Sequence, residues 1–124
     1  MRHATVALST LLLLALAPGL ALAQNPFWFL DQSPARYFNA QDNAMMTEAV
    51  DAVLADDAKG ATRTWQNDAT GASGNVTAMG RFEDDGRECR RLRLSNRARG
   101  EEATSTYDLC RIEGVWKVLR MPAM

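Results

Sequence analysis

Between Asn39 and Lys59 apolar residues recur at intervals of three and four. Met46, Ala49, Val50, Val53 and Leu54 share one side, while Thr47, Glu48, Asp51, Asp56 and Asp57 fall mostly on the other. That spacing predicts an amphipathic helix of about four turns, with Asn39 as its N-cap, Asp42 as a first-turn acid and Gly60 as its stop. Its methionines read as adaptable core filler and not as a ligand stripe. Beyond Gly60 the pattern changes to strand-forming runs at residues 61–66, 74–82, 88–95, 104–112 and 115–119. Turn-forming groups separate them: Asn67-Asp68-Ala69-Thr70-Gly71, Asp84-Asp85-Gly86, Ala98-Arg99-Gly100 and Glu113-Gly114. Short turns with no helical crossover imply an antiparallel meander. The predicted fold class is therefore α+β, one amphipathic helix packed on a four- to five-stranded antiparallel meander.

The cysteines offer a test of register. If residues around Arg99 pair so that their numbers sum to 199, Cys89 lies opposite Cys110, Arg91 opposite Asp108 and Leu92 opposite Tyr107. One alignment then satisfies a bridge, a charge pair and an apolar pair. A two-residue loop at Glu113-Gly114 gives a sum of 227 and sets Leu109 against Val118 and Arg111 against Trp116. Leu92, Leu94, Tyr107, Leu109, Trp116 and Val118 then form the seat for the helix, with Cys89, Arg91, Arg93, Asp108 and Lys117 on the opposite face. Asp84-Asp85-Gly86 allows more than one loop length, so the register of the first long hairpin stays open.

Residues 1–23 have the form of a secretory signal. Arg2 supplies a positive start, residues 4–17 are mostly apolar, Pro18-Gly19 breaks the run, and Ala21-Leu22-Ala23 is a small-x-small cleavage signal before Gln24. No later apolar run approaches the ~20 residues of a spanning helix, so no transmembrane segment is expected after cleavage. Residues 24–38 form an aromatic, proline-punctuated arm with Phe27, Trp28, Phe29, Tyr37 and Phe38. Such an arm either docks on a partner or folds back over one end of the core; the second reading is the simpler. Residues 39–124 make up the α+β domain.

Export changes the meaning of the cysteines. Cys89 and Cys110 are the only two in the chain, and an oxidising compartment favours a disulfide between them. A metal pair lacks histidine partners, and a redox pair lacks the Cys-x-x-Cys spacing. His3, the only histidine, lies inside the signal, so Ser-His-Asp, Cys-His and His-based zinc designs are unavailable after cleavage. The adjacent acids Asp56-Asp57, Asp84-Asp85 and Glu101-Glu102 could be written as acid–base pairs, but acids in turns point into water, whereas catalytic pairs need burial and a set gap. No cofactor is implied, no catalytic residue is assigned, and a formal charge of −1 gives no reason to expect a nucleic-acid partner.

The remaining candidates for binding are Arg90, Arg91, Arg93, Arg111 and Trp116, together with Phe27 and Trp28 of the arm. Six arginines between Arg87 and Arg99 share that stretch with a single acid, Glu88, and a guanidinium suits anionic envelope components. The plainer reading is a solvated face neutralised by Glu83, Asp84, Asp85, Glu101, Glu102 and Asp108. Arg90 and Arg111 each follow a cysteine and are placed near Trp116, covering its ring and the core edge.

The residues Asn67-Asp68-Ala69-Thr70-Gly71-Ala72-Ser73-Gly74-Asn75-Val76-Thr77, then Phe82, Gly86, Cys89-Arg90-Arg91-Leu92, Tyr107, Cys110-Arg111 and Gly114-Val115-Trp116-Lys117, resemble the bacterial 17 kDa surface antigen family. The resemblance runs from about Gly60 to Leu119. Asp68 stands where the family pattern commonly has proline, and the lipid-acceptor cysteine and glycine-rich membrane-associated segment of many members are not found here. The resemblance implies a bacterial surface or periplasmic domain with no established catalytic activity. The expected partner is another envelope protein or an anionic envelope component; the alternative is a small periplasmic binding or inhibitor module for a soluble target.

Overall fold

A computed structural model describes residues 33–120. The signal, the cleavage site, Phe27 and Trp28 lie outside the described residues. A 3-10 turn, Pro34–Tyr37, leads into helix α1, Ala40–Ala55. Five strands follow: β1 Thr62–Gln66, β2 Ser73–Asp84, β3 Arg87–Ala98, β4 Glu101–Ile112 and β5 Val115–Arg120. They form one antiparallel sheet in the order β1-β2-β3-β4-β5.

Helix α1 starts as its sequence predicts and stops earlier. The Asp42 amide donates to Asn39 Oδ1 at 2.8 Å and the Asn39 amide donates to Asp42 Oδ2 at 3.0 Å, a reciprocal capping box. Its end comes at Ala55 and not at Gly60, because Asp56 adopts an extended conformation and turns its carboxylate onto the Ala58 amide. Gly60, with φ +75°, instead serves the turn into β1.

The three long hairpins use one device. Asp85-Gly86, Arg99-Gly100 and Glu113-Gly114 each have positive φ at both positions, 52° and 74°, 51° and 77°, and 52° and 77°. Two left-handed residues in succession make the turn whose twist matches paired strands. The choice left open at Asp84-Asp85-Gly86 thus resolves to a two-residue loop, with Asp84 opposite Arg87.

The β3–β4 register places Cys89 opposite Cys110, Arg91 opposite Asp108 and Leu92 opposite Tyr107, and the cysteines are bonded with S–S 1.98 Å. Leu109 pairs with Val118 and Arg111 with Trp116. Two irregularities interrupt the ladders. A bulge between Ala78 and Gly80 leaves Met79 exposed at 45%, and a shift between Asp108 and Leu109 sets Asp108 against Arg120 where a continued sum of 227 would give Leu119.

The core lies between α1 and one sheet face. Met46, Val50 and Val53 meet Trp65, Val76, Leu92, Leu94, Tyr107 and Leu109, with Trp116 and Val118 partly buried at its margin. The described end of the N-terminal arm packs here too. Phe38 sets its ring edge-on to Trp65 with centroids 5.2 Å apart, and Tyr37 is flanked by the guanidinium groups of Arg36 and Arg99. Arg36 also pairs with Glu101 at 2.5 Å, tying this segment to the β3–β4 turn.

Gly74 is required by close approach. A β-carbon there would run into the Trp65 indole and lie 2.7 Å from Asn96 Oδ1. Gly74→Ala is expected to cost about 1–3 kcal/mol by overpacking, measured by chemical denaturation. An unchanged midpoint would show that Trp65 can move aside.

Candidate functional site

The arginines of β3 divide between the two faces of the sheet. Arg90 is 2% exposed on the helix side. Its Nη1 donates to the carbonyls of Val53 at 2.6 Å, Leu54 at 3.1 Å and Asp56 at 2.9 Å. Those of Val53 and Leu54 are carbonyls that a helix end leaves without intrahelical partners, Asp56 is the extended residue that follows, and α1 has no basic residue of its own in its last turn. Burial lowers the affinity of Arg90 for its proton, and Arg81 acts in the same direction; Asp57, Asp56 and Glu88 oppose both. The expected position over Trp116 is therefore corrected for Arg90. It shares that face, but the helix end lies within its reach and takes the guanidinium. Arg111 does sit over Trp116, with Cζ 5.3 Å from the ring centroid, and also lies 3.7 Å from Glu88.

A second buried polar cluster holds the turn between β1 and β2. Asp42 Oδ1 accepts from Asn67 Nδ2 at 2.7 Å and from Thr70 Oγ1 at 2.8 Å, while Asn67 Oδ1 accepts from the Ala69 amide. The Asn67 carbonyl accepts from the Gly71 amide at 2.8 Å. One carboxylate thus closes the helix N-terminus and anchors the loop. Asn67 and Thr70 act as structural residues at this point.

On the other face, Arg91 grips Asp108 through two hydrogen bonds of 2.8 and 3.2 Å and lies 5.9 Å from the Phe82 ring centroid. Farther along β3, Arg97 donates to Glu102 at 2.6 Å. Arg93 stands between them and differs from both. Its cross-strand neighbours are Thr77 on β2 and Thr106 on β4, and among the described residues it makes no ion pair. The next row of the ladder carries Thr64, Asn75, Ser95 and Thr104. Hydrogen bonds fix these side chains: Asn75 Nδ2 donates to Thr64 Oγ1 at 3.3 Å, Thr77 Oγ1 donates to Asn75 Oδ1 at 3.1 Å, and the Ser95 and Thr104 hydroxyls are 3.0 Å apart.

Of the candidates marked in the sequence, Arg91 and Arg93 reach the open face, whereas Arg90, Arg111 and Trp116 stay on the helix side. Phe27 and Trp28 fall outside the described residues. The threonine, serine and asparagine ladder was not singled out from the sequence. The signal was present in the same pairing arithmetic, which matches Arg91 with Asp108 but sets Arg93 against Thr106.

Five of the six acids considered as catalytic pairs have arginine partners of their own. Asp56 lies 3.8 Å from Arg63, Asp57 bonds Arg81 at 2.7 Å, Asp84 bonds Arg87 at 3.1 Å, Glu101 meets Arg36 and Glu102 meets Arg97. The hydrogen bond from Arg81 holds the Asp57 carboxyl below its ordinary value, with its charge adding to the effect. Tyr107 offers a pH probe of the core. Burial pushes its phenol above the ordinary 10.0, and a hydrogen bond with Ser105 acts in the opposite direction. The folded chain keeps this proton longer than the unfolded chain. Its stabilising share is therefore full below pH 10.0 and lost as pH rises through the folded value. Tyr107→Phe should flatten the fall in unfolding free energy above that pH; an equally steep fall in the variant would contradict this assignment.

Among the described residues no helix is long and apolar enough to cross a membrane. Neither the curated proteins nor the solved structures contain a match to the chain. The profile of the 17 kDa outer membrane surface antigen family matches residues 52–117, from the last turn of α1 through Lys117 of β5, and the chain belongs to that family.

Proposed function

We propose that this chain is a non-enzymatic exported protein of the bacterial envelope, with the sheet as its interaction surface. The observation that carries the reading is the family match across all five strands combined with the two-faced sheet it covers. Helix α1 packs on one face, while the other presents an ordered polar ladder to solvent. Residues that carry the resemblance in the sequence, including Asn67, Thr70, Gly74, Cys89, Arg90 and Cys110, make structural contacts. The open face remains available for another envelope protein or an anionic envelope component.

Fractionation of the native, untagged protein tests this role, with protease added to intact cells to report exposure. Sedimentation with the envelope is the expected result, and cleavage on intact cells would put the domain on the outer surface. Recovery in the soluble periplasmic fraction, protected from protease, would overturn envelope attachment and favour a binding or inhibitor module for a soluble target.

A further inference from the structure

The open face is graded in charge. At one end Arg91 is answered by Asp108 and at the other Arg97 by Glu102, each across the same strand pair. Between them Thr106 occupies the position opposite Arg93 where a carboxylate would continue the series. A depression of about 290 Å³ is lined by this exposed residue together with Asn75, Thr77, Ser95 and Thr104. A second, of about 250 Å³, runs towards Gln66 and Arg97 and shares Asn75 and Ser95 with the first. Each is smaller than the roughly 300–1,000 Å³ of an enclosed small-molecule pocket. Together they make a shallow, continuous track across the strands, suited to an extended ligand.

We infer that this track binds an acidic polysaccharide with widely spaced carboxylates, with Arg93 as the anion contact and the flanking side chains as partners for sugar hydroxyls. A guanidinium presents paired N–H donors that match a carboxylate. Hydroxyl and amide groups both donate and accept, as a sugar requires, and their mutual hydrogen bonds hold them in place before a ligand arrives. Spacing of the charge follows from the neighbours. Among the residues lining the two depressions Arg93 is the one cation without a carboxylate partner, Arg97 being paired with Glu102, and the chain carries a net charge of −1, so a dense polyanion would find one good contact and nothing to balance its remaining charges.

This inference deepens the proposed role of the open face. Its failure would remain distinct, since a negative sugar titration leaves the outcome of envelope fractionation untouched. The test is a nuclear magnetic resonance titration of the full chain with a hyaluronan tetrasaccharide, in which every second sugar carries a carboxylate. Dextran oligosaccharide serves as the uncharged comparison. The largest shifts are expected at Asn75, Thr77, Arg93, Ser95 and Thr104, with weaker binding of dextran. Arg93→Ser should reduce hyaluronan affinity about tenfold, in keeping with loss of one charge-assisted contact. Thr106→Glu supplies the missing carboxylate and should reduce it similarly while leaving the melting temperature unchanged or higher. No hyaluronan binding, shifts confined to another surface, or wild-type affinity in both variants would overturn the inference.

Discussion

Arg90→Met should lower the stability of the domain by about 3 kcal/mol, because a buried charged donor shared by three carbonyls is removed while the carbonyls remain. For a domain of this size that corresponds to a fall in melting temperature of roughly 12–24 °C. Methionine fills much of the space of the arginine stem, so the loss reports chiefly on the guanidinium. The effect should centre on the end of α1. Val53 retains the Asp56 amide as a donor, at 3.2 Å, whereas the Leu54 and Asp56 carbonyls lose the Arg90 contact. Hydrogen exchange should consequently accelerate in the last turn of the helix before it does in the central strands. A change below about 1 kcal/mol would mean that water replaces the guanidinium at little cost.

The second large effect is expected from the disulfide. Cys89 and Cys110 are both fully buried and are separated by 21 positions, for which the chain-entropy model gives about 3 kcal/mol. Changing both to alanine isolates the cross-link without leaving one free thiol. The paired variant should melt well below the oxidised protein and should no longer respond to reductant. Native topology is still expected, because Arg91–Asp108 and the Leu92–Tyr107 pair hold the same register. Equal melting of oxidised and reduced wild-type protein would contradict a stabilising role for the bridge.

Register was the most legible feature of the sequence because several independent constraints met in one alignment. A one-residue slip would separate the cysteines, part Arg91 from Asp108 and turn the apolar row to solvent. The bulge after Ala78 escaped this arithmetic: no local residue choice demanded it, and its effect appears only when β2 is paired with β3. The helix end was misplaced for a related reason. Gly60 carries a standard stop signal, but Asp56 leaves the helix earlier and an arginine from β3, distant in sequence, donates to the freed carbonyls. Arg90 could be assigned to a face by parity, while its destination depended on tertiary geometry. The candidate surface was legible only in part. Arg93 stood out as a cation, but its lack of a carboxylate has meaning only beside Thr77 and Thr106 in the assembled sheet.

These contacts divide the molecule into a frame and a surface. Asp42, Asn67, Gly74, Arg90 and the disulfide hold the helix, the β1–β2 turn and the sheet together, and their loss should be read first as loss of stability. Arg93 and the threonine-rich ladder contribute little to the core, so changes there should affect association without unfolding the domain.

The most direct measurement compares how much native chain sediments with the envelope when Thr106→Glu alters the open face and when Glu48→Lys alters the exposed side of α1. Melting of the purified proteins provides the control. The open-face variant should move to the soluble fraction at unchanged stability, while the helix variant should remain with the envelope. Retention of Thr106→Glu together with release of Glu48→Lys would contradict the account and move the contact surface to the helix.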